Sequence, residues 1–182
     1  PHHPVARLFA LLPCAGTGSR AGTAGPKQYE PLLGVPLVLH TLAAFAAVPR
    51  ISQTAIVVAS DDEFFQSHFA SFLIADCGGP TRASSVFNGL VFLLQCGAEP
   101  DDWVLVHDVA RPCLRPDDVR QLLQQVEAAG AIGGYIPYST ARDAYNFQAV
   151  NYLVTPQTRV QLLPQPALHP CRQAAPPAAA AP

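Results

Sequence analysis

The sequence predicts an α/β protein with one doubly wound, mostly parallel β-sheet. Short, continuous apolar runs alternate with longer segments of helical period, as expected when buried parallel strands are separated by helices. The chain has 182 residues, of which 49% are apolar and 13% charged, and this composition suits one compact domain with a sizeable core. A formal charge of −2 without a cluster of Lys or Arg argues against a nucleic acid or a membrane surface as partner.

The apolar runs and the helical segments define the predicted elements in chain order. Strands are predicted at 8–12, 54–59, 72–75, 103–106, 132–136 and 152–154. Helices are predicted at 38–48, 84–96 and 119–129. Pro116, Asp117 and Asp118 suit the first turn of the third helix, and Gly130 suits its end. In such a sheet, ligands bind at the carboxyl ends of the strands, so the loops after strands are the first places to look for a site.

The remaining features set the domain boundaries and the expected compartment. The apolar runs are far shorter than the roughly 18 residues of a membrane span, and the apolar start is too short for a secretory signal, so we expect a cytoplasmic protein. Five scattered cysteines without C-x-x-C spacing predict free thiols. Residues 5–163 form the predicted domain, and 164–182 form a Pro/Ala-rich tail that cannot bury a core.

The loop after the first strand is rich in small residues and includes Gly16 and Gly18. Such residues allow backbone amides to approach a polyphosphate, with Arg20 and Lys27 as countercharges. Lys27 is the single lysine among eleven Lys and Arg residues. A flexible turn with solvated charges is the alternative. The segment 16–21 also fits the dinucleotide pattern G-x-G-x-x-A, but the acidic residue expected about 20 positions later is missing, and no Gly-Lys-Ser/Thr of a P-loop occurs.

Two further loops carry candidate polar groups. Asp108 and Arg111 follow the strand 103–106, where an Asp can hold Mg²⁺ or a substrate hydroxyl and an Arg can clamp a phosphate. The alternative is an Asp that caps the next turn beside a surface Arg. Gly78 and Gly79 precede a predicted helix start, where amides could bind an anion or a base edge, or where Thr81 or Ser84 could simply cap the helix.

Taken together, these segments resemble the 2-C-methyl-D-erythritol 4-phosphate cytidylyltransferases of the non-mevalonate isoprenoid pathway, a family of Rossmann-like nucleotidyltransferases. The resemblance runs in order over roughly residues 8–160. It rests on five motifs: Leu12-Pro13-Cys14-Ala15-Gly16-Thr17-Gly18-Ser19-Arg20, Pro26-Lys27-Gln28-Tyr29, Gly78-Gly79 with Arg82 and Ser85-Val86, Val106-His107-Asp108-Val109-Ala110-Arg111-Pro112, and Thr155-Pro156-Gln157.

The resemblance implies a reaction and a role for each matching residue. CMP would pass from CTP to 2-C-methyl-D-erythritol 4-phosphate, with Mg²⁺ required, and pyrophosphate would leave. Arg20 and Lys27 would be the catalytic cations. The nucleotide would be bound by Pro13, Cys14, Ala15, Gly16, Thr17, Gly18, Gly79 and Ser85. The acceptor would be bound by Asp108, Arg111, Thr140 and Thr155, and Asp108 would also touch the metal.

The sequence also departs from the family pattern. Family members carry an arm that reaches across a homodimer and delivers an arginine to the partner's pocket, whereas the corresponding segment 142–150 is short and has no arginine beyond Arg142. A lysine that follows Thr-Pro-Gln in the family has no counterpart, so the arm and the C-terminal part are shortened or missing. We therefore expect weakened dimerisation. A ribitol-5-phosphate cytidylyltransferase and a non-catalytic CTP-binding relative are the alternative functions.

Overall fold

Strands and helices alternate along the chain, as the sequence predicts. The computed structural model describes residues 7–17, 25–67, 71–99, 102–129 and 152–154. Their elements are β1 (Leu8–Pro13), β2 (Pro31–Leu32), β3 (Val35–Pro36), α1 (Leu37–Ala46), β4 (Gln53–Val57), β5 (Leu73–Ala75), α2 (Arg82–Gln95), β6 (Trp103–Val106), α3 (Pro116–Ala129) and β7 (Tyr152–Val154). Short 3-10 turns lie at Lys27–Tyr29 and Phe64–Ser67.

Five of these strands form one sheet in the order β5-β4-β1-β6-β7. The first four are parallel, and β7 runs antiparallel to β6. The chain leaves β1 towards β4 and later returns to β1's other side as β6, so the strand order reverses beside β1. This arrangement confirms the predicted α/β class with a mostly parallel sheet. In open α/β sheets, the crevice at such a reversal is the usual place for a ligand.

Alternate residues of β1 pack on opposite faces of the sheet, in two separate core clusters. Leu8, Ala10 and Leu12 pack on the side that holds α1 and α3, with Phe45 and Val119 among their neighbours in the same cluster. Phe9 and Leu11 belong to the cluster on the α2 side. Because β1 is buried on both faces, its sequence is a continuous apolar run rather than an alternating one. The helices therefore cover both sides of the sheet, as in a doubly wound fold.

Most predicted element boundaries agree with the structure to within three residues. The five predicted strands that fall on described residues are present, and the three helices begin one to three residues earlier than predicted. The predicted strand at 132–136 and the predicted helix end at Gly130 lie outside the described residues. Among the residues described, no helix combines the length and apolar character needed to cross a membrane.

Candidate active site

The loop that follows β1 begins at the carboxyl edge of the sheet, as predicted. Cys14 continues the pairing with β4, since its N–H donates to the Val57 carbonyl at 2.7 Å. The chain then turns away through Ala15, Gly16 and Thr17. We call residues 14–17 the nucleotide loop, for the role that the sequence predicts. Its position puts its backbone groups at the point where the strand order reverses.

A short turn at Lys27–Tyr29 packs against the nucleotide loop. The carboxamide of Gln28 is buried, and its Nε2 donates to the Cys14 carbonyl at 2.9 Å and to the Gly16 carbonyl at 2.8 Å. Lys27 precedes Gln28 on the same turn, and its side chain is exposed. One side chain therefore ties the turn that carries the only lysine to the nucleotide loop.

The next residue, Tyr29, packs beneath the same loop. Its hydroxyl donates to the Asp62 carboxylate, and the Cys14 thiol donates to the Tyr29 oxygen at 3.7 Å. The Tyr29 ring stacks on Phe64 with centroids 4.2 Å apart. Burial raises the pKa of the Cys14 thiol to about 12. Burial is also the main cause that raises the pKa of the Tyr29 hydroxyl, and the nearby Cys14 is the second cause. Both groups are thus protonated at neutral pH, and Cys14 supports the loop rather than acting as a nucleophile.

The two glycines after β5 are brought against this loop. A Cβ atom on Gly78 would lie 2.2 Å from the Ala15 Cβ and 2.8 Å from the Val58 carbonyl oxygen, so only a glycine fits there. The Gly79 N–H donates to the Ser85 hydroxyl at 3.0 Å. The turn between β5 and α2 is thereby held in direct contact with the nucleotide loop.

A capping box fixes where α2 begins. The Ser84 N–H donates to the Thr81 hydroxyl at 3.1 Å, and the Thr81 N–H donates to the Ser84 hydroxyl at 2.9 Å. These two bonds satisfy backbone donors that would otherwise be unpaired at the helix start. The capping interpretation of Thr81 and Ser84 is therefore correct, and it leaves the role of Gly79 and Ser85 in binding a prediction.

The turn after β6 carries a charged cluster at the same edge. The Asp108 carboxylate lies between two arginines: Arg82 Nε is 2.7 Å from Oδ1, and Arg111 Nε is 3.2 Å from Oδ2. The turn itself is anchored, because the His107 N–H donates to the Leu11 carbonyl at 3.1 Å and the Thr41 hydroxyl donates to the Val109 carbonyl at 2.8 Å. Asp108 and both arginines stay partly exposed, so an anion can reach them from solvent.

Only part of the predicted site falls on described residues. Pro13, Cys14, Ala15, Gly16, Thr17, Gly79, Ser85, Asp108 and Arg111 all lie at the carboxyl edge of the sheet, and Lys27 lies on the turn tied to it. Gly18, Arg20, Thr140 and Thr155 lie outside the described residues. His107, to which the sequence gives no role, is buried, and its ring packs against Phe45 with the ring centroids 5.5 Å apart.

The described residues at this edge offer few carboxylates to a magnesium ion. Within the described residues, no group of three or more His, Cys, Asp or Glu side chains is placed to hold a metal. Mg²⁺ in phosphate-binding sites is typically held by one or two carboxylates, with phosphate oxygens and waters as the other ligands. Each oxygen of Asp108 accepts one arginine and keeps lone pairs for a further partner. Among the described residues of this cluster, Asp108 is the carboxylate that could serve as a ligand of an ion arriving with a phosphorylated substrate.

The sequence model of the family described as "IspD: 2-C-methyl-D-erythritol 4-phosphate cytidylyltransferase" matches residues 8–164. The chain belongs to this family. The match covers most of the chain and confirms the resemblance on which the predicted roles depend. The family is one of cytidylyltransferases by its description.

Two curated relatives of the cytidylyltransferase family show how much of a relative's length the chain covers. It is 57% identical over 144 residues to "Bifunctional enzyme IspD/IspF" of Albidiferax ferrireducens, an alignment that covers 76% of this chain and 34% of the relative. It is 48% identical over 138 residues to "2-C-methyl-D-erythritol 4-phosphate cytidylyltransferase" of Burkholderia multivorans, covering 74% of this chain and 58% of the relative. The chain thus spans less than two thirds of either protein.

Solved structures of the family have the same fold. One, described as 4-diphosphocytidyl-2C-methyl-D-erythritol synthase, is 26% identical with a TM-score of 0.68, covering 86% of this chain and 78% of its own. The cytidylyltransferase of Francisella tularensis is 25% identical with a TM-score of 0.64, covering 86% and 76%. These similarities confirm the Rossmann-like nucleotidyltransferase fold.

Two residues of the family motifs make contacts that the sequence analysis does not assign. Gln28 follows Lys27 in the Pro-Lys-Gln-Tyr motif, and Arg82 is the first residue of α2. Their places in the motifs are a signal that could have pointed to a role. Their partners could not be read from the sequence, because those partners lie on other segments of the chain. Gln28 bonds to residues 12 and 14 positions away, and Arg82 to a residue 26 positions away.

Proposed function

We propose that this chain transfers CMP from CTP to 2-C-methyl-D-erythritol 4-phosphate, forming 4-diphosphocytidyl-2-C-methyl-D-erythritol and releasing pyrophosphate. One observation carries the proposal: the segments that follow β1, β5 and β6 meet at the carboxyl edge of the sheet, together with the turn at Lys27–Tyr29. Gly78 lies against Ala15, Gln28 bonds to Gly16, and Arg82 bonds to Asp108. Family membership and the names of the relatives support the same reaction.

The proposed chemistry needs no covalent intermediate on the protein. A phosphate oxygen of the acceptor attacks the α-phosphorus of CTP, a new P–O bond forms, and the bond from the α-phosphorus to the bridging oxygen breaks as pyrophosphate leaves. Catalysis of such a transfer comes from positioning the reactants and stabilising negative charge. Lys27 and Arg20 are the proposed cations for the triphosphate and the transition state. The protonated Cys14 and Tyr29 agree with a mechanism that uses no protein nucleophile.

The nucleotide is proposed to bind across the β1 and β5 loops. Backbone groups of residues 13–18, with Gly79 and Ser85, would contact the base, ribose and phosphates. Supporting this assignment, the glycine at position 78 leaves no side chain between the two loops. The adjoining N-terminus of α2 favours negative charge nearby.

The acceptor is proposed to bind beside the charged cluster after β6. Arg111 would hold the acceptor phosphate, Asp108 an acceptor hydroxyl or Mg²⁺, and Thr140 and Thr155 would complete the subsite. Two guanidinium groups beside one carboxylate give this turn a net positive charge, which favours a phosphate. Mg²⁺ would enter with CTP and neutralise phosphate charge, and we propose that a divalent cation is required. Since both substrates are small phosphorylated metabolites, we expect the reaction in the cytoplasm.

A direct test compares two acceptors at equal concentrations. We expect pyrophosphate release with CTP, Mg²⁺ and 2-C-methyl-D-erythritol 4-phosphate to exceed release with ribitol 5-phosphate. A preference for ribitol 5-phosphate would replace the proposed acceptor and retain the cytidylyl transfer. Binding of CTP by isothermal titration, without pyrophosphate release from either acceptor, would instead identify a non-catalytic CTP-binding relative.

A further inference from the structure

Gln28 donates both hydrogens of its carboxamide to carbonyl groups of the nucleotide loop. Its side chain is 6% exposed, and Nε2 lies 2.9 Å from the Cys14 carbonyl oxygen and 2.8 Å from the Gly16 carbonyl oxygen. A glutamine –NH₂ group has two donors, so this arrangement uses its full donating capacity. The two acceptors lie on alternate peptide groups of the loop.

Pinning those carbonyl groups also fixes the amides on the other side of the same peptide planes. In a planar trans peptide, the C=O and the following N–H point in opposite directions, and the described peptide bonds are all trans. The carbonyl of Cys14 shares its plane with the Ala15 N–H, and the carbonyl of Gly16 with the Thr17 N–H. Gln28 therefore turns both N–H groups away from the Lys27–Tyr29 turn. Neither has a hydrogen-bond partner within the described part of the chain.

We propose that Gln28 is a positioning residue that aims the Ala15 and Thr17 N–H groups at the bound nucleotide and couples their orientation to the placement of Lys27. This inference rests on the proposed function, because it names how the nucleotide-binding loop is held. Without Gln28, the two carbonyl groups lose the side-chain donor that fixes their direction, and the N–H groups of the same peptide planes are held less firmly towards the nucleotide. Nucleotide affinity then falls, although Gln28 itself touches no substrate.

The test uses Gln28→Met, which keeps the length of the side chain and removes both donors. Gln124→Met, at an exposed position of α3, is the matched control. In the nucleotide-free 182-residue chain, we expect lower heteronuclear ¹H–¹⁵N NOE values at residues 15–17 for Gln28→Met and unchanged values for the control. With Mg²⁺ and CTP, we expect the dissociation constant to rise about tenfold for Gln28→Met, as for the loss of one or two hydrogen bonds.

Each outcome of these experiments supports or overturns the positioning role of Gln28. Unchanged NOE values or an unchanged CTP dissociation constant would overturn the positioning role, even if thermal stability falls, because a purely structural residue changes stability alone. If the parent chain binds no CTP, the proposed function fails, while the nucleotide-free NOE comparison still decides whether Gln28 holds the loop. Should Gln28→Met fail to fold, Gln28→Asn, which keeps the carboxamide but shortens its reach, provides the same comparison.

Discussion

Lys27 lies beside the nucleotide loop with an exposed ammonium group that no other lysine can replace, because the chain has only one. We predict that Lys27→Ala lowers the turnover number by at least about 100-fold, since it removes the cation that we propose to stabilise the negative charge developing on the phosphates. Arg50→Ala, which removes an exposed cation just before β4 at the opposite edge of the sheet, is the control. Pyrophosphate release at saturating CTP measures both. Turnover of Lys27→Ala within a few-fold of the parent would refute the role.

Gly78 lies where an added Cβ atom would clash with the nucleotide loop and with backbone after β4. We predict that Gly78→Ala destabilises the protein by about 1–3 kcal/mol, the usual cost of overpacking, because the new Cβ must displace Ala15 or the Val58 carbonyl. Gly25→Ala is the matched control, since a Cβ atom there meets nothing within 4 Å. Urea unfolding of both variants measures the difference. Equal midpoints would show that the two loops move apart at little cost.

At the scale of elements, the start of α2 connects packing to the site. We predict that Thr81→Ala lowers the free energy of unfolding by about 1 kcal/mol, because it removes the acceptor for the Ser84 N–H. Thr81→Ser keeps that acceptor and should unfold close to the parent in urea. If both variants unfold at the parent's midpoint, the capping box contributes nothing to stability.

The same scale shows what could be predicted from the sequence. Buried strands such as β1 and β6 have continuous apolar runs, and the amphipathic helices have a clear period, so their existence follows from patterning. The β2–β3 hairpin gives no such signal. Its turn places Leu33 and Gly34 at positive φ, where Asn-Gly or Asp-Gly is the usual pair. Leu33 is 92% exposed, so an apolar residue here does not mark the core.

For the whole molecule, the edge of the sheet that forms the site could be predicted, but its contacts could not. Strand–helix alternation places the loops after β1, β5 and β6 at one edge. The Arg82–Asp108 ion pair and the two Gln28 hydrogen bonds depend on how loops distant in sequence pack together. Local sequence patterns contain no information about that packing.

The association state is a further property of the whole molecule. Because the segment 142–150 is short and carries no arginine beyond Arg142, we predict that the dimer is weaker than is usual in the family. Sedimentation velocity at micromolar concentration should reveal monomers. A tight dimer as the sole species would contradict this prediction.

The central claim is that these loops bring CTP and a polyol phosphate together for cytidylyl transfer. Phosphorus NMR of the 182-residue chain with CTP, Mg²⁺ and 2-C-methyl-D-erythritol 4-phosphate tests it most directly. The account predicts that the triphosphate signals decline while those of free pyrophosphate and of a new diphosphate diester grow in equal amounts. Triphosphate signals that persist while CTP is bound would contradict it.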